Sequence, residues 1–251
     1  MTTDAVIAAL SLPVSSRIDQ RVPKKLLVEN GAPTAADKRQ INDGIDELVW
    51  VAALKPANIG VPAFRDPERE YLEIAVLSLR LRAEAKSSRL TELIHRSIPY
   101  PVFLIQSQVE KPLTLSLAHI RWSQGQAAQT VMDGVPVAVE LAEHSPGLDD
   151  FMASLSILHV PRRDLHALYQ TWIEHFEAFL AAAHTGRYRP AQEGLVAERR
   201  RLALTEHNRL CREVAGLRAR AERESQVNRR VELNLQIKQL ESRLADTARD
   251  L

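Results

Sequence analysis

The sequence predicts an α+β protein: a mainly antiparallel sheet with packed helices, a helical subdomain, then a long C-terminal coiled-coil helix. Three observations predict it. Residues 71–82 are apolar on both strand faces, with Leu72, Ile74 and Val76 alternating with Tyr71, Ala75 and Leu77, as in a central strand. Residues 101–106 and 113–119 are apolar runs across a polar spacer, the pattern of a hairpin with a longer loop. Beyond Pro190 there is no proline and no aromatic residue, and apolar residues recur at alternating spacings of three and four.

Residues 1–13 read as a short helix capped by Thr3 or Asp4, and residues 15–21 as polar loop. Pro23 opens a helical turn through Glu29, because a missing N–H is harmless at a first helical position, and Asn30-Gly31 ends it. Thr34-Ala35-Ala36-Asp37 has the form of a capping box with Asp for Glu. The helix it starts shows one face through Ile41, Ile45 and Leu48, after which the apolar run 48–54 suits a buried strand. Residues 57–67, with Gly60, Pro62 and Pro67, should be extended loop. After the strand at 71–82, Ser87 or Ser88 caps a helix burying Leu90, Leu93, Ile94 and Ile98, and Pro99 stops it. Residues 131–139, interrupted at Asp133-Gly134, read as another hairpin with Pro136 on an edge. Helices follow at 148–158 and 163–183, the second with a broad apolar stripe from Leu165 to Leu180.

In the C-terminal stretch Leu210, Val214, Leu217, Ala221, Val231 and Leu235 form a seam that Glu224 and Asn228 interrupt. A second phase runs through Ile237, Leu240, Leu244 and Leu251. As one helix the stretch spans roughly 85 Å at about 1.5 Å per residue, so it needs a partner helix. The interruptions favour a short or antiparallel pairing, or a different protein, over a uniform self-zipper. Three regions result: 1–21, a short helix and loop; 22–190, a globular α+β domain; 191–251, the long helix.

Composition narrows the function classes. A net charge of +1 gives no global field toward nucleic acid or membrane. From residue 194 onward there are 13 Arg and Lys against 9 Asp and Glu, a bias too weak for a nucleic-acid clamp. Cys211 is the single cysteine, so no disulfide forms within one chain. Residues 1–13 lack the basic start of a secretory signal, and no apolar stretch approaches the roughly 20 residues that span a bilayer. A cytoplasmic, reducing compartment is the expectation.

Several blocks carry a family resemblance: Pro23-Lys24-Lys25-Leu26, Asp37-Lys38, Trp50 with Leu54-Lys55-Pro56, and Glu70-Tyr71-Leu72-Glu73-Ile74. The most specific is Ile94-His95-Arg96-Ser97-Ile98-Pro99-Tyr100-Pro101, followed by Ser116-Leu117-Ala118-His119 and Arg121-Trp122. On these residues, the stretch 22–139 resembles an uncharacterised prokaryotic family, domain of unknown function 4391. The resemblance implies genes beside DNA methyltransferases and helicases, in restriction-like or phage-defence clusters, and supplies no activity, cofactor or catalytic residue. The chain departs from the pattern at Ile120, where a basic residue is expected, and at Gln126, where an acid is usual. Chemistry that needs a charged pair at those two positions is therefore absent.

The catalytic candidates are Glu73, His95 and His119. Glu70 and Glu73 near a lysine could hold Mg²⁺ as metal-dependent nucleases do, but three residues apart in a strand they point to opposite faces. Glu73 on an apolar face calls for a cationic partner, Arg96 or Arg121. His95-Arg96 at a helix C-terminus is favoured by the helix dipole, and Arg96 lies four residues after Glu92. In the functional alternative His95, Tyr100 and His119 converge as a phosphate- or base-binding pocket. Further binding candidates are Arg96, Tyr100 and Arg121, with Arg187, Tyr188 and Arg189 as a basic patch that could grip phosphates or stack on bases. No metal site is expected: His207 and Cys211 lie one turn apart, and two ligands do not fill a tetrahedral site. No cofactor is expected either, since no Gly-rich phosphate loop occurs.

The leading expectation is a non-enzymatic accessory or adaptor of a restriction-modification or phage-defence system, joined to itself or to a partner protein through its C-terminal helix. The alternatives are a nuclease-like enzyme acting on nucleic acid and a non-catalytic nucleic-acid binder.

Overall fold

The computed structural model describes residues 1–125, 130–190, 194–248 and 251. Gln126, one of the two departures noted above, lies outside them. The chain divides into two compact units, Met1–Phe176 and Glu177–Leu251.

The first unit is built on a six-stranded sheet in the order β1-β2-β5-β6-β7-β8. Its strands are β1 (Arg17–Arg21), β2 (Ile45–Leu54), β5 (Ile74–Leu81), β6 (Val102–Gln108), β7 (Leu113–Trp122) and β8 (Thr130–Leu141). A two-stranded ribbon, β3 (Phe64–Arg65) with β4 (Glu70–Tyr71), is inserted between β2 and β5. All sheet pairings are antiparallel except β5 with β6, whose crossover is helix α5 (Ser87–Ser97). The fold is therefore mixed α+β with a mostly antiparallel sheet, as the alternation predicts.

Two helical layers cover the sheet. Helix α1 (Thr3–Ala9) precedes β1; α2 (Lys24–Gly31) and α3 (Ala35–Gly44) follow it. The short α4 (Pro56–Ile59) follows β2, α6 (Leu148–Ser154) follows β8, and α7 (Leu165–Thr185) runs out of the unit. Leu27, Ile41, Leu90, Leu93 and Ile94 pack with Ala75, Leu77, Leu79, Val102 and Leu104 in one core cluster. Phe103, between two members of that cluster, points the other way, and its ring meets Trp172 at 5.1 Å and Phe176 at 5.8 Å. Strand alternation thus places α2, α3 and α5 on one face of the sheet and α7 on the other.

Several local expectations are corrected. Thr2, not Thr3 or Asp4, caps α1 by accepting the Ala5 N–H at 3.2 Å. The stretch read as polar loop holds β1, fully exposed along its length, because β2 supplies the ladder that its own sequence does not call for. Helix α3 ends at Gly44, and Ile45 and Leu48 already belong to β2. The expected loop at 57–67 contains most of α4 and all of β3. The single strand at 71–82 is broken at Leu72-Glu73, and Tyr71 pairs with Phe64 in the ribbon. Lys86 rather than a serine takes the first cap position of α5. Residues 130–141 form one strand instead of a hairpin. It absorbs Gly134, at φ +83°, by a register shift against β7, and as the edge strand it tolerates Pro136.

Thr34 does cap α3, accepting the Asp37 N–H at 3.1 Å and donating its hydroxyl to the Asp37 carboxylate at 2.7 Å. Asp37 also receives two hydrogen bonds from Arg89, at 2.8 and 3.0 Å, and these hold its carboxyl down at about 2. The buried carboxylate thereby ties α3 to α5.

Gly31 ends α2 for a tertiary reason. A Cβ there would run into the Ser97 hydroxyl and lie 2.9 Å from the Ser97 Cβ, so α2 and α5 meet where only a hydrogen fits. Gly31→Ala should lower stability by about 1–3 kcal/mol, the usual cost of overpacking, as read by urea denaturation. Combined with Ser97→Gly, the loss should fall short of the sum of the two single losses.

The second unit corrects the opening expectation of one long helix. Helix α8 (Gly194–Arg223) and helix α9 (Val227–Thr247) are separated by residues 224–226 and pack against each other. Leu210, Val214, Leu217 and Ala221 of α8 meet Leu233, Ile237, Leu240 and Leu244 of α9, each set spaced four, three, four. Arg218 reaches Glu241 at 2.7 Å and Arg243 reaches Glu206 at 2.9 Å, as antiparallel helices require. The physical reason lies in the interruption itself. A continuous helix would bury Glu224 and Asn228 in the seam, whereas a turn leaves Asn228 exposed and Glu224 only half-buried, its carboxylate accepting the Gln226 N–H at 2.9 Å. What looks like a phase slip is the second half of a hairpin.

Candidate functional site

The catalytic candidates are not brought together. Glu73, at the break before β5, is buried and pairs with Lys55 at 3.0 Å, not with Arg96 or Arg121. His95, on the inner face of α5, is fully enclosed and its Nε2 lies 2.9 Å from the Ser116 hydroxyl. Burial pushes its pKa down to about 3, so the ring is neutral.

His119 sits on the opposite face of the sheet. Its Nε2 is 2.8 Å from Oε1 of Gln170 on α7, and its Nδ1 is 2.6 Å from the Tyr71 hydroxyl. The proton positions follow from one end of this chain. Gln170 donates from Nε2 to the Glu174 carboxylate at 2.9 Å, and a carboxylate only accepts. Gln170 therefore presents its oxygen to His119, whose Nε2–H donates to it, while the Tyr71 hydroxyl is bonded to Nδ1. Burial raises the Tyr71 pKa. His166 stacks on His119 with centroids 5.2 Å apart and on Phe64 at 4.7 Å. This is a directional, packed array that joins the ribbon, β7 and α7. Ile120, the other departure noted above, is buried and pairs with Met132.

Two of the binding candidates do share a site. A cleft of about 870 Å³ is lined by the C-terminal ends of α2 and α5, by Glu70 and Leu72, by Trp122 at the end of β7, and by Thr130, Val131 and Met132 of β8. Arg96 and Tyr100 both lie in its wall. The fold places them there because Pro99 stops α5 at this edge and β7 runs out beside it. Arg96 donates to Glu92 at 3.1 Å, the helical pair that the spacing predicts. The Tyr100 ring is held edge-on by Trp50 at 6.3 Å.

Arg121 stands behind the cleft. It approaches Asp133 at 3.5 Å and donates to the Trp122 carbonyl at 3.2 Å, while the Trp122 N–H donates to the Glu68 carbonyl at 2.7 Å. Arg69 holds the other oxygen of Asp133 at 2.6 Å. The Trp122 backbone is thus fixed from two sides. Leu72, Trp122 and Met132 were not singled out from the sequence. The signal for Trp122 was its place in the Arg121-Trp122 block, and Leu72 looked like an ordinary strand residue.

Arg187, Tyr188 and Arg189 belong to the second unit, in the segment between α7 and α8, where both arginines are exposed. In that unit His207 lies beside His184, with ring centroids 4.2 Å apart, and its Nδ1 is 3.3 Å from the Thr247 hydroxyl; Cys211 is exposed. Among the described residues no group of three or more His, Cys, Asp or Glu could hold a metal ion. Among them, too, no helix is long and apolar enough to cross a membrane.

A family model described as "Domain of unknown function (DUF4391)" matches residues 10–244. No curated protein and no solved structure matches the chain.

Proposed function

The chain belongs to the DUF4391 family, and from that premise we propose that it is a non-enzymatic accessory component of a bacterial restriction-modification or phage-defence system, docking a partner protein through its C-terminal hairpin. The setting follows the gene neighbourhood that the resemblance implies. The docking role rests on one observation. Val227, Val231 and Leu235 stand four residues apart on α9 and are 62%, 52% and 57% exposed, although the seam of the hairpin is filled from its other face. A row of apolar side chains at that spacing is one face of a helix, and water is a poor neighbour for it. Arg220 and Arg223 at the end of α8 and Arg229 and Arg230 at the start of α9 have no ion pair among the described residues, while Arg209, Arg218 and Arg243 are paired. A partner with an apolar strip bordered by acids suits this tip. The separate engagement of Glu73, His95 and His119 supports a binding role over a catalytic one.

The test co-expresses the full chain with the products of its neighbouring genes. Val227→Asp, Val231→Asp and Leu235→Asp together should abolish co-purification while leaving helical circular dichroism intact, because none of the three lies in the seam. An undiminished complex would sink the proposal. If light scattering instead shows a wild-type dimer that the triple variant splits, the partner protein is a second copy of the chain.

A further inference from the structure

We propose that the cleft between α5, the β4 segment and the start of β8 binds a nucleotide, its base stacked on Trp122 and Tyr100 and its phosphate on Arg96. This goes beyond the docking role and rests on a different unit of the chain.

The argument starts from hydrogen-bonding capacity. Of the three tryptophans, Trp50 donates its indole N–H to the Ala52 carbonyl at 3.0 Å and Trp172 to the Leu155 carbonyl at 2.9 Å. Trp122 is half-buried in the cleft wall, and its indole N–H has no acceptor among the described residues. The tyrosines of the first unit divide in the same way. Tyr71 and Tyr169 are fully buried, and their hydroxyls are bonded to His119 and to the Val102 and Ala118 carbonyls. The Tyr100 hydroxyl, on the cleft wall, has no partner among the described residues. Arg96 is 45% exposed and uses one N–H on Glu92, so the rest of its fork faces outward. Two aromatic donors and one guanidinium are therefore gathered around a concavity.

The ligand chemistry follows. Flat apolar rings with donors at their edges suit a planar heterocycle rich in acceptors, and Leu72 and Met132 extend the apolar wall. Every nucleobase has such a face and such edges. Charge does not oppose this. Glu70 is neutralised by Arg65, and Glu29 lies 3.7 Å from Lys25, so a phosphate near Arg96 meets no uncompensated carboxylate. The Tyr100 ring is also held by Trp50 before any ligand arrives, and the Trp122 backbone is fixed by Glu68, which lowers the ordering cost of binding.

The experiment titrates the full chain with adenosine 5′-monophosphate, adenosine and a deoxyadenosine decamer, reading tryptophan fluorescence and heat. Saturable binding of the monophosphate or the decamer is expected. Trp122→Leu should weaken it roughly ten- to hundred-fold, in line with the loss of one base–aromatic stack. Trp122→Tyr, which keeps a stacking face, should retain most of it. Arg96→Gln should weaken the monophosphate and leave adenosine unchanged. Tighter binding of the decamer identifies single-stranded nucleic acid as the source, and equal binding identifies a free nucleotide. Matching urea midpoints for the variants exclude misfolding. Absence of saturable binding at millimolar ligand, or wild-type binding by Trp122→Leu, overturns the proposal.

Discussion

Trp172→Ala should cost about 3–5 kcal/mol, which is much of the 5–15 kcal/mol that holds a typical domain folded. Trp172 is fully buried on α7, stands edge-on to Phe103 in the middle of the sheet, and donates its indole N–H to the Leu155 carbonyl just beyond α6. Truncation removes the ring that fastens α7 to the sheet and leaves that carbonyl without its donor. Trp172→Phe should recover much of the packing but not the hydrogen bond, and so lose roughly 1–3 kcal/mol. Urea denaturation of both variants reads the difference. If Trp172→Ala lost less than about 1 kcal/mol, α7 would not be fastened to the sheet in this way.

The second large effect is a loss of stability in mild acid. His95 is neutral in the fold with a pKa near 3, whereas in the unfolded chain it takes up a proton below about 6.5. The unfolded state therefore binds the extra proton between those values, and stability falls as pH drops from about 6.5 toward 3. The slope approaches ~1.4 kcal/mol per pH unit, or about 3 kcal/mol by pH 4.5. Above pH 6.5 the contribution is intact. His175, buried on α7 with a pKa lowered to about 4, acts in the same direction. Asp37 adds to the loss only at lower pH, from its ordinary value near 3.8 down to about 2. His95→Gln keeps a hydrogen-bonding group toward Ser116 and cannot titrate, so its urea midpoint should fall less steeply between pH 7 and 4.5 than that of the wild type. An unchanged slope would mean that His95 is not held neutral by burial.

How much was legible in the sequence depended on whether a signal was local. Period-two alternation and apolar runs located β2, β5, β6 and β7, because burial on both faces marks a central strand without reference to its neighbours. Edge β1 left no such mark: Arg17–Arg21 is exposed throughout and is a strand only because β2 lies alongside. The Glu92–Arg96 pair was legible at a spacing of four. The partner of Glu73 was not, since Lys55 is brought beside it only by the antiparallel register that sets Leu54 against Ile74. His95 and His119 looked alike as titratable residues near one sheet end, and only the sheet between them assigns each to a separate face.

The C-terminal helices state the division most clearly. The sequence by itself determined that the stretch beyond residue 194 is helical and amphipathic, with the Leu210 to Ala221 seam and the Ile237, Leu240 and Leu244 phase at their spacing; Val231 and Leu235, expected to continue the first seam, are exposed, and Leu233 joins the second instead. The sequence also carried the reason to stop, in the polar residues Glu224 and Asn228. Only the tertiary structure decided that the second seam covers the first within the same chain. Periodicity fixes which side chains need cover, and what supplies that cover is settled by where the backbone turns.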